Sequence, residues 1–338
     1  MNIPGLDPDA TPDSRSSAAG ARVAVVGGGS IGSAFALVFA SAGCRVALYD
    51  PEAASLEGAL AYIERSLNAL SEAGLMEVPV ASAMANIRCC RELEAAVDGA
   101  SWVHECAPER VEVKSAIFAA LDRAAPRDAI LASATSAIPA SQFASELDGR
   151  DRCLVAHPGN PPFLLRVIEL VAAPFTSSET IERASAFARA VDLDPIIVRR
   201  EVEGFLFNRL QGALLREAYC LVRDGVASVD DIDRLVRKGL GLRWSVIGPF
   251  ETADLNTRGG IEAHAQKLGP AYARMGAERG QNDPWTKDLV AQVVAERRAL
   301  LPLEHWAERV AWRDRELMRR LSAAADRGPV TGTDDRQE

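Results

Sequence analysis

Up to about residue 200, short apolar runs alternate with longer stretches whose apolar residues recur every three or four positions. The runs at 22–26, 45–49, 86–89, 101–104, 129–132, 152–155, 166–171 and 195–198 predict strands, and the periodic stretches at 30–42, 51–73, 109–124, 139–146 and 177–190 predict helices. Alternation through the first five strands predicts βαβ units and a doubly wound parallel sheet. The later strands follow one another more closely, which allows antiparallel pairs among them.

Beyond residue 200 the pattern turns helical throughout. A long helix is expected over 204–222, with Phe205, Leu210, Leu214 and Leu221 among its apolar positions. Ser228 suits an N-cap, Asp231 follows three residues on, and Arg237 and Lys238 precede Gly239, which together predict one helix ending at that glycine. Further helices are expected at 258–278, 284–300 and 303–322. The expected organisation is a loose tail over 1–20, an α/β domain over 21–200, a helical domain over 201–323 and a second tail over 324–338.

The first apolar run leads into Val-Gly-Gly-Gly-Ser-Ile-Gly, so Gly27, Gly29 and Gly32 fit G-x-G-x-x-G between a strand and a helix. The first glycine permits the tight turn, the second a close backbone approach to a pyrophosphate, and the third close helix–strand packing. The helix start, with Ser30 and Ile31, offers free N–H groups and partial positive charge to phosphates. The second strand ends in Asp50, eighteen residues after Gly32, where a carboxylate can accept hydrogen bonds from the adenine ribose. It would repel a 2′-phosphate, so NAD is expected rather than NADP. The fold class is therefore α/β, a Rossmann-type doubly wound parallel sheet followed by an all-helical C-terminal domain.

A chain of 338 residues exceeds what one core holds, which supports two domains. The net charge of −9 gives little support to a nucleic-acid or anionic-membrane role, although it leaves a small anionic substrate open. Six cysteines, none in a C-x-x-C pair or at metal-ligand spacing, read as reduced thiols of a cytoplasmic protein. No metal site, transmembrane span or signal peptide is expected.

Four residues are candidates for chemistry. His157 follows an apolar strand, at the carboxyl end where such sheets bind ligands, and suits a base taking a hydroxyl proton; it could equally be a turn histidine before proline. Glu169 is a lone acid in an apolar strand, either paired with a neighbouring imidazole or facing water from an edge. Ser136 lies just past a strand, where a hydroxyl can reach a substrate oxygen or simply serve a loop. Asn208 sits in an apolar helical stretch and can reach a substrate oxygen across a domain cleft or bond the backbone.

Taken together, these residues resemble the 3-hydroxyacyl-CoA dehydrogenase superfamily over roughly residues 22–320. That family carries a Ser, a His twenty-one residues later, a Glu twelve further on and an Asn in Gly-Phe-x-x-Asn-Arg, which Ser136, His157, Glu169 and Asn208 match in order and spacing. Glu109 and Lys114 match a Glu and a Lys that touch the nicotinamide ribose side; alone they would read as a solvated helix start. Within the superfamily the chain resembles the lambda-crystallin, L-gulonate 3-dehydrogenase branch through His157-Pro-Gly-Asn-Pro-Pro, Glu203-Gly-Phe-Leu-Phe-Asn-Arg-Leu-Gln and Gly239-Leu-Gly-Leu-Arg-Trp-Ser-Val-Ile-Gly-Pro-Phe-Glu. The resemblance implies oxidation of a C3 secondary alcohol by hydride transfer to NAD, and a homodimer through the helical domain.

Two features separate a free hydroxy acid from an acyl-CoA substrate. Acyl-CoA enzymes carry an Asn two residues before the serine, and here that residue is Ala134. In those enzymes the segment after the second strand is Lys-rich and helps bind CoA, whereas residues 51–86 here hold five Glu, one Arg and no Lys. Arg243, beside Trp244, is a candidate anchor for a substrate carboxylate, or else a helix-end Arg stacked on the indole. An L-gulonate-like free acid is the expected substrate, with a CoA thioester of fatty-acid oxidation as the alternative. A non-catalytic structural role, which lambda-crystallin relatives can serve, would not need the Ser, His, Glu and Asn set.

Overall fold

The computed structural model describes residues 18–245, 247–257, 260–280 and short stretches between 288 and 319. The chain divides into two compact units, residues 1–209 with 311–338, and residues 210–310.

In the first unit, strands β1 (Arg22–Val26), β2 (Arg45–Tyr49), β3 (Ile87–Cys90), β4 (Trp102–Glu105), β5 (Ile130–Ser133), β6 (Cys153–Pro158), β7 (Val167–Ala172) and β8 (Asp194–Val198) form one sheet in the order β3-β2-β1-β4-β5-β6-β7-β8. Pairing is parallel from β3 through β6, antiparallel between β6 and β7, and parallel again between β7 and β8. The strands fall within a residue or two of the expected starts. Helices α1 (Ser30–Ser41), α2 (Ala53–Glu72), α3 (Val80–Ala85), α4 (Leu93–Val97), α5 (Val111–Ala124), α6 (Ser141–Ala144) and α7 (Ser178–Ala190) complete the unit. The short α3 and α4 escaped the periodicity argument, because one or two turns carry too few apolar repeats to register.

Alternate residues of each strand feed separate cores. Val23 and Val25 join Phe35 and Trp102 in one cluster, while Ala24 and Val26 join Val103 and Phe118 in the other. Both faces are covered, so the strands read as continuous apolar runs rather than alternating ones. Strand order reverses at β1, which lies between β2 and β4, and ligands of such sheets bind at the carboxyl ends there.

Three expectations need correction. Ala18 to Gly20 belong to the folded unit rather than a loose tail: Ala18 is buried, its carbonyl accepts from the Cys44 thiol at 3.4 Å, and the Gly20 amide donates to Gly43. Helix α8 (Phe207–Arg223) starts three residues later than expected, because Gly204 and Phe205 take left-handed backbone with φ of 75° and 50°. Gly239 ends no helix: α9 (Val229–Leu235) runs on through a π turn (Val236–Leu240) into α10 (Gly241–Trp244). The expected start of α9 stands, since the Ser228 hydroxyl accepts from the Asp231 amide. The second unit continues with α11 (Pro249–Leu255) and α12 (Gly260–Arg279), where Arg279 bonds Glu217 of α8 at 2.9 Å. The helices expected at 284–300 and 303–322 and the tails over 1–17 and 324–338 lie wholly or largely outside the described residues.

Candidate active site

The turn from β1 into α1 separates two reasons for being glycine. Gly27 has φ of 115°, and a Cβ there would sit 2.8 Å from the Cys106 carbonyl oxygen; a Cβ on Gly32 would fall 1.8 Å from the Gly27 oxygen. The protein's own packing therefore demands both. At Gly29 a Cβ would meet nothing within 4 Å, so packing demands no glycine there. What the bare Gly29 backbone leaves open is an approach to the first amides of α1, including those of Ser30, Ile31 and Gly32, which have no intrahelical acceptors. Asp50 stands beside this turn, accepting from the Gly28 amide at 2.8 Å through Oδ2 and from the Glu52 amide at 3.0 Å through Oδ1. A pyrophosphate over open amides and a ribose at Asp50 fit this cradle.

The end of β4 carries a polar cluster. Glu105 is fully buried and accepts from Lys114 Nζ at 3.0 and 3.1 Å, from Ser133 Oγ at 2.5 Å and from the Ala107 amide at 2.7 Å. Lys114, expected at the nicotinamide ribose side, is itself buried and directs its ammonium to Glu105, with Glu109 Oε2 at 3.5 Å. Glu109 is half-exposed, and its Oε1 gathers the Thr135 hydroxyl at 2.6 Å and the amides of Ser136 and Ala137 at 2.9 and 3.1 Å. Burial pushes the Glu109 carboxyl up, but the Thr135 hydroxyl, Lys114 and the two amides outweigh it and hold its pKa below the usual range. Glu109 thus fixes the turn that presents Ser136.

His157 and Glu169 occupy directly opposed positions of the antiparallel β6–β7 pair, so their side chains share one face. His157 Nδ1 lies 2.6 Å from Glu169 Oε2, and both residues are buried. The other carboxylate oxygen, Oε1, accepts from the amides of Leu206 and Phe207 at 2.7 and 3.0 Å, at the start of α8. A carboxylate is favoured there because the first amides of a helix lack acceptors and carry partial positive charge. One residue later, Asn208 Nδ2 donates to the Ser136 carbonyl at 2.7 Å. Asn208 therefore bonds backbone within the first unit, the second of the two roles open to it.

The structure thus links Ser136, His157, Glu169, Asn208 and Glu109 through short hydrogen bonds, apart from a gap between Glu169 and Asn208 bridged by two residues of backbone. Among the described residues, the hydrogen bonds of Ser136 run through its backbone amide and carbonyl, and that of His157 through Nδ1. Arg243 lies exposed on α10 in the second unit, its carbonyl accepting from the Ile247 amide at 3.1 Å. Sequence reasoning passed over Glu105, Ser133 and Thr135. Glu105 escaped because the expected strand over 101–104 stops one residue short of it, and His104 already breaks the apolar run. Ser133 and Thr135 carry no signal, because small hydroxyl residues are common beside strands.

Open helix amides at the sheet's switch point and an acid at the end of β2 fit a dinucleotide cofactor. Residues 22–202 match the family model described as 3-hydroxyacyl-CoA dehydrogenase, NAD binding domain, and residues 204–300 that of the 3-hydroxyacyl-CoA dehydrogenase C-terminal domain. The chain belongs to the 3-hydroxyacyl-CoA dehydrogenase family, and its cofactor is NAD. It is 38% identical over 307 residues to the lambda-crystallin homolog of Bos taurus, covering 90% of this chain and 95% of that one. It is 34% identical over 267 residues to an L-carnitine dehydrogenase of Oceanobacillus iheyensis, covering 79% and 83%. Among solved structures, a 5-formyl-3-hydroxy-2-methylpyridine 4-carboxylic acid 5-dehydrogenase, an NAD+-dependent dismutase, aligns with TM-score 0.75 at 27% identity over 90% of this chain and 99% of that one. The 3-hydroxybutyryl-CoA dehydrogenase of Escherichia coli K12 aligns with TM-score 0.62 at 29% identity over 75% of this chain and 52% of that one. Among the described residues, no helix is long and apolar enough to cross a membrane.

Proposed function

We propose that the protein oxidises the C3 hydroxyl of a small free L-3-hydroxy acid, with His157 as the base. The observation that carries this reading is the 2.6 Å contact between His157 Nδ1 and Glu169 Oε2. A carboxylate only accepts hydrogen bonds, so Nδ1 carries the ring proton and Nε2 is left as the basic nitrogen. Two backbone amides occupy Oε1 and prevent Glu169 from turning away. As His157 takes the hydroxyl proton, Glu169 offsets the imidazolium charge, the logic of a base oriented by a third group. The Ser136 hydroxyl hydrogen-bonds the substrate oxygen and holds it in line, and Asn208 steadies Ser136 by donating to its carbonyl. NAD, when bound, supplies the hydride acceptor; the α1 amides, Asp50 and Glu109 would hold it.

Two observations favour a free acid over a thioester. Glu57, Glu64 and Glu72 are exposed on α2, the wrong sign of charge for the phosphates of CoA. L-carnitine dehydrogenase and the pyridine carboxylic acid dehydrogenase are both named for free acids. Arg243 is assigned as the carboxylate anchor, and its exposed guanidinium suits a bidentate carboxylate. The thioester reading draws on the 3-hydroxybutyryl-CoA dehydrogenase likeness. A homodimer through the second unit is in keeping with exposed Leu210, Phe250, Leu255 and Met275. The test is NADH formation across free 3-hydroxy acids, sugar acids, carnitine and 3-hydroxyacyl thioesters. Turnover of a free acid, with KM raised about tenfold or more by Arg243→Met, is expected. Turnover of thioesters alone would overturn the substrate class, and an unchanged KM would overturn the anchor.

A further inference from the structure

We propose that Glu105 is a positioning residue, whose buried carboxylate, clasped by Lys114 and Ser133, sets the turn that presents Ser136. The proposal rests on the role given to Ser136 above. Glu105 reaches that turn by two separate routes. Through Lys114 it acts on Glu109: the ammonium lies 3.0 Å from Glu105 and 3.5 Å from Glu109, whose Oε1 holds the Thr135 hydroxyl and the Ser136 and Ala137 amides. Through Ser133 it acts on Thr135: the Ser133 hydroxyl donates to Glu105 at 2.5 Å and accepts from the Thr135 amide at 3.3 Å. The Thr135 hydroxyl in turn accepts from the Ile138 amide at 3.0 Å, which closes the turn.

The charge arrangement explains why an acid stands at position 105. Without Glu105, Lys114 would sit buried with Glu109 as its remaining carboxylate partner among the described residues. It would then draw Glu109 inward and away from the Thr135, Ser136 and Ala137 donors. With Glu105 in place, Lys114 is satisfied deep in the fold, and Glu109 keeps one oxygen for the turn. A buried network of this kind fixes geometry only when each member is satisfied. Glu105 accepts four hydrogen bonds on its two oxygens, two from Lys114 and one each from Ser133 and the Ala107 amide. The Ser136 carbonyl receives Asn208, so a displaced turn would also release Asn208. Glu105 touches neither substrate nor cofactor in this scheme and acts entirely through its neighbours.

Backbone hydrogen exchange of residues 134–138 in the full-length protein, without cofactor or substrate, reads the turn directly. Ser133→Ala cuts only the shorter route and keeps the Glu105–Lys114 pair. Glu105→Gln keeps the shape and removes the charge. Both are expected to speed exchange of the 135–138 amides about tenfold while leaving β1 and β2 unchanged, the mark of local rather than global opening. Both are also expected to lower kcat about tenfold or more, and in Ser133→Ala, which leaves the Lys114–Glu109 arrangement intact, NAD affinity measured by titration should shift less than about threefold. Unchanged exchange at 135–138 in folded Ser133→Ala overturns the proposal, as does exchange rising evenly across the sheet. Should Glu105→Gln fail to fold, Ser133→Ala decides alone. A wild-type protein that forms no NADH from any substrate defeats the functional reading, while the exchange result still judges the network.

Discussion

His157 and Glu169 oppose each other across the antiparallel β6–β7 pair, and this register puts imidazole and carboxylate on one face, 2.6 Å apart. A one-residue slip would send the two side chains to opposite faces of the sheet. Glu169 is also the acceptor for the first amides of α8, so one carboxylate binds the imidazole and anchors the helix that carries Asn208. Ser136, His157 and Asn208 stand on three different elements, and hydrogen bonds rather than sequence proximity hold them in place.

Glu169→Gln separates charge from shape. The amide oxygen can still accept from the Leu206 and Phe207 amides, but an NH2 group then faces His157 Nδ1. The ring must accept there and carry its proton on Nε2, which removes the basic nitrogen. Turnover is expected to fall about a hundredfold or more with NAD affinity retained. Steady-state kinetics and a cofactor titration check this, and turnover within about twofold of wild type would contradict it.

Gly29→Ala and Gly32→Ala have opposite expected outcomes. A Cβ at 29 meets nothing within 4 Å, whereas one at 32 meets the Gly27 oxygen at 1.8 Å. Gly29→Ala should fold with unchanged Tm and bind NAD about tenfold more weakly, because the methyl group fills the pyrophosphate approach. Gly32→Ala should lose stability before any cofactor is added. Melting curves with and without NAD distinguish the two, since a bound ligand raises Tm according to its affinity. A Gly29→Ala protein with wild-type NAD affinity would refute the cradle.

His104 predicts the acid limb of stability. It is fully buried, its Nδ1 accepts from the Trp102 indole at 3.1 Å, and burial followed by nearby Lys114 lowers its pKa from 6.5 to about 3. Between those values the unfolded chain binds a proton that the folded chain refuses. Stability from this group is therefore complete above 6.5 and falls as pH drops toward 3, by up to about 1.4 kcal/mol per pH unit. His104→Gln, which keeps an acceptor for the indole, should flatten this limb. In denaturant melts at about pH 7 and about pH 5.5, wild type should lose about 1 kcal/mol more than the variant. Equal losses would contradict the buried neutral imidazole.

Much of the fold was legible because both cores are built from local patterns. Val23 to Val26 read as a buried strand, and the glycine spacing after it marks a strand–turn–helix junction in which packing requires Gly27 and Gly32. The start of α8 was misplaced because Phe205, an apolar residue in helical register, adopts a left-handed backbone while filling the core. Local propensity does not report that tertiary demand. Gly239 resembled a terminator, yet the helix continues through it, since glycine permits a helical end without compelling one. Glu169 stood out as a lone acid in an apolar strand, and the spacing that the family resemblance supplies brought His157 to it. The Glu105 cluster did not stand out, because its meaning depends on Lys114 and Ser133 arriving from two other elements.

Replacing His157 by Gln gives the most direct test of the account, with kcat and NAD affinity measured on the same preparation. Turnover on the best 3-hydroxy acid should drop by about two to four orders of magnitude while NAD affinity stays within about threefold. Turnover that survives unchanged would show that another group takes the hydroxyl proton, and the assignment of His157 as the base would be wrong.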